Sequence, residues 1–291
     1  NQEHKVESLE NFSPEKGQFV IFSAGSNIAE KYARNFVAAG SFVIDLSSNF
    51  RYKDDVPLII PEINGEILKN LSKPSLIANP NCSTAQLLMA LKPIHDEAQI
   101  KFLNIATYQA VSGTGKAALE ELHNQTYFKE SENQSSVYPK QIAFNVIPQC
   151  DIFLDNNFTK EEMKLTWETH KILDPNIQVQ ATCVRVPVFN GHSEAVFFRV
   201  SKEISREEII KILDKAPGLK VLDDPSSGDY PTPFENATDT EDVYVGRIRS
   251  QSLDDDCWIS MWIVADNVYG KGAALNAVQI CEELLNVGSV K

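Results

Sequence analysis

The 291-residue sequence is short of basic residues. Its 27 Lys and Arg residues are outnumbered by 40 Asp and Glu residues, which gives a net charge of −13. Nucleic acid and anionic membrane both bind through basic surfaces, so this composition argues against either as a partner. A few local Arg or Lys residues could still hold a small anionic substrate.

The sequence also lacks paired cysteines and long apolar runs. Its five cysteines are widely spaced and form no C-x-x-C pair. This spacing argues against a zinc site or a disulfide framework, so we expect no metal and a reducing, cytoplasmic setting. No apolar run approaches the length of a membrane span, and the N-terminus does not resemble a signal peptide.

The first part of the chain has the pattern of a parallel sheet. Short apolar runs at 19–23, 42–46 and 76–78 predict buried strands, and 27–39 predicts a helix that Gly40 ends. A strand-helix-strand order of this kind indicates parallel strands.

The rest of the chain predicts a mixed sheet with helices on one face. The pattern after Cys82 is helical, with Pro93 as its stop, and Asn190-Gly191 between two β-rich runs is a hairpin signal. Further strands are predicted at 102–110, 179–188, 193–200, 244–249 and 257–264, and further helices at 117–123, 159–172, 206–215 and 272–285.

Cys82 is the first candidate for chemistry, because it lies between a predicted strand end and a predicted helix start. A helix dipole and free N–H groups lower the pKa of a thiol there and can stabilise an oxyanion. Ser83 and Thr84 could cap that helix. Since free cysteine often serves as a small buried hydrophobe, the residue type alone leaves both roles open.

His192 follows a predicted turn close to Arg185. Histidine is the usual proton donor and acceptor near neutral pH, although a single turn histidine more often has no catalytic role. If both side chains face one pocket, the arginine could grip a substrate carboxylate with two parallel hydrogen bonds. Otherwise it would pair with a surface carboxylate.

Glu161 and Lys164 share one face of a predicted helix, and this spacing alone favours a surface salt bridge. Arg51 follows a predicted strand end, where it could meet an anion or simply water.

Several segments taken together resemble aspartate-semialdehyde dehydrogenases over nearly the whole chain. They are the stretch 51–64, NPNCST at 79–84, QAVSGTG at 109–115, EEMK at 161–164, CVRVP at 183–187, GHSE at 191–194, ADN at 265–267 and GAALNA at 272–277. Each motif alone is modest, but their joint order is specific.

The resemblance implies a role for each residue of the site. Cys82 would be the nucleophile and His192 the acid/base, with Asn81 helping to hold the oxyanion and Gln109 orienting the substrate. The implied substrate-binding residues are Arg185 for the α-carboxylate, Glu161 for the amino group, and Arg51 and Lys164 for the phosphate. The residues implied at the cofactor are Ser23, Ala24, Gly25, Ser112, Gly113 and Asn267.

The implied reaction is NADP-dependent reductive dephosphorylation of aspartyl-4-phosphate to aspartate 4-semialdehyde through a thioester on Cys82, with NADPH as the hydride donor. Its product feeds lysine, threonine and methionine synthesis. The implied α/β fold pairs an incomplete Rossmann-type nucleotide-binding domain, residues 1–80 and 267–291, with a mixed-sheet α+β catalytic and dimerisation domain, residues 81–266. This is the architecture of glyceraldehyde-3-phosphate dehydrogenase, and family members are usually homodimers or homotetramers.

The family's glycine-rich dinucleotide fingerprint has no counterpart in this sequence. We therefore expect that one strand-helix-strand unit of roughly thirty residues precedes 19–23 in the family and is missing here. A protein without that unit is expected to bind NADP weakly or not at all.

Two other functions stay open at this level. N-acyl-glutamyl-phosphate reductase uses the same chemistry, but the context of Cys82 and the segment from Arg185 to His192 favour the aspartyl enzyme. A truncated, non-catalytic oligomerisation or binding module would explain the missing fingerprint, whereas the complete set of candidate catalytic residues argues against it.

Overall fold

The computed structural model describes residues 6–71, 73–128 and 137–286. The strands are β1 (Phe19–Phe22), β2 (Phe42–Asp45), β3 (Leu76–Ala78), β4 (Ile100–Gln109), β5 (Gln178–Arg185), β6 (His192–Val200), β7 (Leu219–Val221), β8 (Val243–Leu253) and β9 (Asp256–Ala265). The α-helices are α1 (Ser26–Ala38), α2 (Pro61–Asn64), α3 (Cys82–Ala98), α4 (Lys116–Tyr127), α5 (Lys160–Ile172), α6 (Arg206–Leu213) and α7 (Ala274–Asn286). Within these ranges, no helix combines the length and apolarity needed to cross a bilayer.

The first sheet contains β1, β2 and β3 in that order, all parallel. Ala33 and Phe36 of α1 pack with Val43 on one face, while Ile280 of α7 packs with Ile44 on the other. The last helix therefore returns to the first sheet, and the Rossmann-type expectation for this part of the fold is confirmed.

The second sheet has six strands in the order β5-β4-β6-β9-β8-β7, with β4/β5 and β7/β8 parallel and the other pairs antiparallel. Helices α3, α5 and α6 pack on one face, as predicted. The opposite face carries half-buried aromatic side chains, including Phe197 stacked on Trp258, and the exposed Tyr108 lies against Trp262.

The hairpin predicted at Asn190-Gly191 is wrong, because β4 lies between β5 and β6 and pairs with both. The connection instead crosses the end of β4. Val111 and Ser112 donate their N–H groups to the carbonyls of Val188 and Phe189 at 2.9 and 3.1 Å. These hydrogen bonds satisfy two backbone carbonyls of the loop and bring the start of β6 beside the end of β4.

The predicted helix stop at Pro93 is also wrong. Helix α3 contains Pro93 and continues to Ala98. An interior proline costs a helix about 3 kcal/mol, since it removes one hydrogen bond and crowds the preceding turn. Leu91 and Ile94 are completely buried on either side of it, and their burial offsets that cost.

The parallel strands of the first sheet end at one edge, which is where the candidate site begins. β1 leads into Ser23, β2 into the segment that reaches Arg51, and β3 into the turn before Cys82. Helix α3 then carries the chain from this edge across the second sheet, so Cys82 lies where the two sheets meet.

Candidate active site

The turn that presents Cys82 is capped by its own neighbour. Asn81 accepts hydrogen bonds from the backbone N–H groups of Ser83 and Thr84 at 3.0 and 3.3 Å. The cap is therefore Asn81, and the expectation that Ser83 and Thr84 would provide it is wrong. Those two N–H groups are therefore occupied by the cap.

The expected low pKa of Cys82 is a second correction. Burial and the nearby Glu161 carboxylate raise the pKa of the thiol to about 12. The positive charges of Arg51, Lys164 and Arg185 oppose this shift without overcoming it. The helix start alone does not decide the matter, because a partly buried thiol loses the water that would stabilise its thiolate.

Glu161 lies at the centre of the hydrogen-bond network. Its Oε1 accepts from Asn81 Nδ2 and Gln109 Nε2, both at 2.9 Å, and its Oε2 accepts from Lys164 Nζ at 2.8 Å. Burial alone would raise its pKa, but the Lys164 ammonium and the amide donors lower the pKa to about 2. Glu161 is thus an anion held inside the site, and the interpretation as a surface salt bridge is wrong.

Gln109 lies at the last position of β4, with its side chain buried under α3. Its Nε2 also donates to Ser83 Oγ at 2.7 Å, which fixes the orientation of the amide. Its Oε1 has no hydrogen-bond partner among the described residues. A buried acceptor without a donor is ready for a ligand N–H group.

His192 is fully buried at the first position of β6. Its Nδ1 accepts the backbone N–H of Ala110 at 3.0 Å, so a neutral ring carries its proton on Nε2. Burial and the Arg185 charge lower the pKa of the imidazole to about 3. Nε2 has no partner in the described part of the chain, and it is therefore a free donor.

Arg185 and His192 face the same space, as the sequence hypothesis required. A Cβ built on Gly113 would lie 3.0 Å from His192 Nε2 and 3.1 Å from Arg185 Nη1. Arg185 donates from Nη1 to the carbonyl of Ala110 at 2.6 Å, and its buried Nε has no partner in the described ranges. Only glycine at position 113 leaves this space open.

Arg51 is buried and held from three sides. Its Nε donates to the Asn79 carbonyl at 2.8 Å and its Nη2 to the Leu46 carbonyl at 2.9 Å. Its Nη1 reaches Glu168 Oε1 at 3.1 Å. No sequence motif singled out Glu168, although it lies two helical turns after Glu161, on the same face of α5.

A second residue of α5, Lys171, fastens the segment that carries Arg51. Its ammonium donates to the backbone carbonyls of Arg51, Lys53 and Val56 at 2.8, 2.8 and 2.9 Å. The segment 51–56 is thus bonded to α5 through both its side chains and its backbone.

The residues expected at the cofactor fall into two groups. The first group contains Ser112, Gly113 and Asn267. Asn267 Oδ1 accepts hydrogen bonds from Ser112 Oγ at 3.1 Å and from the Gly191 N–H at 3.0 Å. This group borders His192. Ser23, Ala24 and Gly25 form the second group, exposed at the start of α1, and no hydrogen bond joins them to the first group within the described ranges.

Arg185 and Glu161 act on both the Cys82 thiol and the neutral His192 ring, so one set of buried charges surrounds a cysteine and a histidine. A cysteine in such surroundings is typical of enzymes that form a covalent bond through sulfur. Family models identify the class. Residues 1–71 match the semialdehyde dehydrogenase NAD binding domain, and residues 91–269 match the semialdehyde dehydrogenase dimerisation domain.

Individual relatives narrow this class. The aspartate-semialdehyde dehydrogenase of Legionella pneumophila is 48% identical over 287 residues, 98% of this chain and 82% of that protein. The structure of aspartate semialdehyde dehydrogenase II from Vibrio cholerae complexed with ASA has a TM-score of 0.90 and 44% identity, covering 97% of this chain and 83% of that one. The Candida albicans enzyme with NADP has a TM-score of 0.74 and 28% identity, covering 94% and 78%. The chain belongs to the aspartate-semialdehyde dehydrogenase family.

Proposed function

We propose that this chain catalyses the NADP-dependent reduction of aspartyl-4-phosphate to aspartate 4-semialdehyde and phosphate, a step of lysine, threonine and methionine biosynthesis. The observation that supports it best is the convergence of Cys82, Gln109, Glu161, Arg185 and His192 on one pocket. A substrate with an amino group, a carboxylate and an acyl phosphate matches one anion and several cations in that pocket.

The substrate is held by charges of opposite sign. Arg185 offers its guanidinium to the α-carboxylate, while Glu161 attracts the amino group, and Arg51 and Lys164 receive the phosphate. Gln109 Oε1 supplies a further acceptor. Gln109 and Lys164 already bond to Glu161, and both arginines are held by backbone carbonyls, so the substrate enters a site with little left to reorganise.

Cys82 attacks the acyl carbon, phosphate leaves, and a thioester forms on the sulfur. The thiol must lose its proton in this step, and in the ligand-free protein its raised pKa disfavours an early loss. Burial is the first cause of that raised pKa, and the Glu161 carboxylate is the second. A substrate ammonium beside Glu161 would offset only the second cause, so we expect the proton to leave during the attack and to pass to the departing phosphate.

His192 first serves as a hydrogen-bond donor. With Nδ1 occupied by the Ala110 N–H, Nε2 can donate to the oxygen of the acyl group beside the Cys82 N–H and the Asn81 amide. Acting as an acid or base requires that Nδ1 release the Ala110 N–H, because the ring cannot otherwise gain a second proton.

Ser112, Gly113 and Asn267 would hold the nicotinamide of NADP, and Ser23, Ala24 and Gly25 the rest of the cofactor. The fit is favourable at Gly25, whose φ is +84° and around which a Cβ would meet no atom within 4 Å. The open start of α1 attracts negative charge. When bound, the nicotinamide supplies the hydride that reduces the thioester.

We also propose that the chain forms a homodimer, or a homotetramer built from dimers, through the open face of the six-stranded sheet. Half-buried aromatic side chains such as Phe197 and Trp258 are typical of interface cores. A dimer dissociated by Trp258→Asp in sedimentation velocity would support this assignment, and an unchanged sedimentation coefficient would exclude it.

The free state of all five cysteines fits a cytoplasmic enzyme that needs a reduced thiol.

The decisive test is phosphate-dependent NADP reduction with aspartate semialdehyde, comparing wild type with Cys82→Ala. We expect activity to disappear in the variant, a loss of about 10⁴-fold or more, because the covalent route is lost. Cys281→Ala, which removes a thiol from α7, is the matched control. Activity that survives Cys82→Ala, or that does not depend on phosphate, would contradict the proposal.

A further inference from the structure

Glu168 is fully buried in α5, and no step of the proposed reaction uses it. Its Oε1 accepts from Arg51 Nη1 at 3.1 Å and from the Tyr52 hydroxyl at 3.2 Å. Its Oε2 accepts the backbone N–H of Asn81 at 2.7 Å. One carboxylate therefore bonds to a proposed phosphate ligand and to the residue that precedes the nucleophile.

The charge of Glu168 is unfavourable for phosphate binding. A carboxylate in contact with Arg51 partly cancels the positive charge that the phosphate would meet, and it repels the phosphate directly. Two backbone carbonyls already orient the guanidinium of Arg51. Orienting Arg51 therefore does not explain Glu168, and pairing with the buried guanidinium accounts for only one of its two oxygens.

The second oxygen of Glu168 provides the explanation. Asn81 caps α3 through its side chain, and Glu168 holds the same residue through its backbone N–H, so the turn carrying Cys82 is fixed from both ends. Hydrogen bonds to an ionised acceptor are shorter and stronger than neutral ones. A carboxylate at residue 168 can therefore fix the turn and Arg51 in one rigid unit.

We infer that Glu168 is a positioning residue that couples the phosphate ligand Arg51 to the nucleophile turn, placing Cys82 for attack at the expense of phosphate affinity. The inference rests on the proposed function. It requires that loss of the Glu168 charge lower both kcat and the phosphate KM, whereas general damage to the fold would lower kcat and raise the phosphate KM.

The test is Glu168→Gln, assayed as NADP reduction with aspartate semialdehyde and varied inorganic phosphate. We expect kcat to fall about 30-fold, because the nucleophile turn loses its placement. The phosphate KM should fall about threefold, because repulsion of the anion is removed. A loosened site would instead lower kcat and raise the phosphate KM. An unchanged kcat or a raised phosphate KM would therefore overturn the inference.

Two further variants complete the design. Tyr52→Phe removes one hydrogen bond to Glu168 and leaves the carboxylate, so both constants should stay within about twofold of wild type. Glu168→Asp keeps the charge but shortens its reach, and it carries the test if Glu168→Gln does not fold. We expect a lower kcat with an unchanged phosphate KM, and wild-type kinetics in Glu168→Asp would contradict the coupling.

Failure of the inference can be told apart from failure of the proposed function. If wild type shows no phosphate-dependent activity at saturating NADP, the proposed function itself is wrong. If Arg51→Ala leaves the phosphate KM unchanged, the phosphate ligand is misassigned and the coupling falls with it. If both behave as proposed while Glu168→Gln matches wild type, only the role of Glu168 is refuted.

Discussion

The substrate side and the cofactor side of the site differ in how firmly the chain holds them. On the substrate side, Glu161 accepts hydrogen bonds from Asn81, Gln109 and Lys164. Gln109 also donates a hydrogen bond to Ser83 at the start of α3. On the cofactor side, Ser23 to Gly25 are exposed. The substrate side is thus organised before any ligand arrives, whereas the cofactor side presents groups that a ligand must complete.

The difference follows from where the residues lie in the fold. Gln109, Arg185 and His192 occupy neighbouring ends of β4, β5 and β6, so the sheet sets their spacing. Gly25 belongs to a loop between β1 and α1, with only local backbone bonds. We therefore expect substitutions on the substrate side to change the chemical step and those on the cofactor side to change cofactor binding.

The largest effect is expected from Glu161→Gln, which removes the anion of the substrate side. Lys164 loses one of its two carboxylate partners and keeps Asp151, and the substrate ammonium loses its counter-ion. We expect kcat/KM for aspartate semialdehyde to fall about 10³-fold, since the weaker pairing of Lys164 adds to lost substrate binding. Steady-state kinetics check this, with exposed Glu207→Gln as the control. A loss below tenfold would mean that Glu161 has only a structural role.

Arg185→Lys should have the next largest effect. Lysine keeps the positive charge but lacks the planar fork that grips a carboxylate with two bonds. We expect the KM for aspartate semialdehyde to rise about 100-fold, with a smaller change in kcat. The phosphate KM should not change, because Arg51 and Lys164 remain. A parallel rise in both constants would show that the variant disturbs the whole substrate side.

Gly113→Ala tests the boundary between the two sides. The added methyl would approach His192 Nε2 and Arg185 Nη1 at about 3 Å, and both must shift to accept it. We expect kcat to fall about 10-fold to 30-fold with little loss of stability. Gly228→Ala adds a methyl in open space and should leave kcat unchanged while costing about 1 kcal/mol through its left-handed backbone. Equal kcat in both variants would place Gly113 outside the site.

The smallest effect concerns Glu194, two residues after His192 on β6. Among the described residues, neither of its buried carboxyl oxygens makes a hydrogen bond of normal length, and the neighbouring Gln86 amide opposes the effect of burial only in part. Burial raises its pKa well above the usual range, so the folded protein holds a proton that the unfolded chain releases. Stability should therefore fall as the pH rises above the unfolded pKa of about 4.3.

Glu194→Gln removes that ionisation while keeping the shape of the side chain. We expect the variant to be more stable than wild type by about 1 kcal/mol at pH 8, with the difference shrinking towards pH 4.5. Urea unfolding at several pH values checks the trend. A difference that does not change with pH would mean that Glu194 is ionised in the folded protein.

The sequence predicted the fold well where the pattern of apolar residues is regular. The strands at 42–46 and 76–78 and the helix starting beside Cys82 were predicted within one residue or so of their bounds. The predictions at Pro93 and at Asn190-Gly191 are wrong, because distant contacts override the local signal there. Burial around Pro93 outweighs the broken helix bond, and the position of β4 prevents a hairpin.

The residue types of the site could be predicted from the joint order of the motifs, but their interactions could not. The pKa of Cys82 depends on Glu161, which lies 79 positions later in the sequence, as residue numbers 161 and 82 show. Glu168 reaches Arg51 across 117 positions. Such contacts follow from how the helix α5 lies against the nucleophile turn, and no local pattern encodes that placement.

The attachment of Lys171 to the backbone of 51–56 limits how the protein can move. One ammonium group donates hydrogen bonds to three carbonyl groups, so we expect this loop and α5 to move as one rigid body during turnover. If the two sheets close around their ligands, the bending must occur elsewhere along the chain. The distance between Arg51, the proposed phosphate ligand, and the helix that carries Glu161 would then stay constant through every stage of the catalytic cycle.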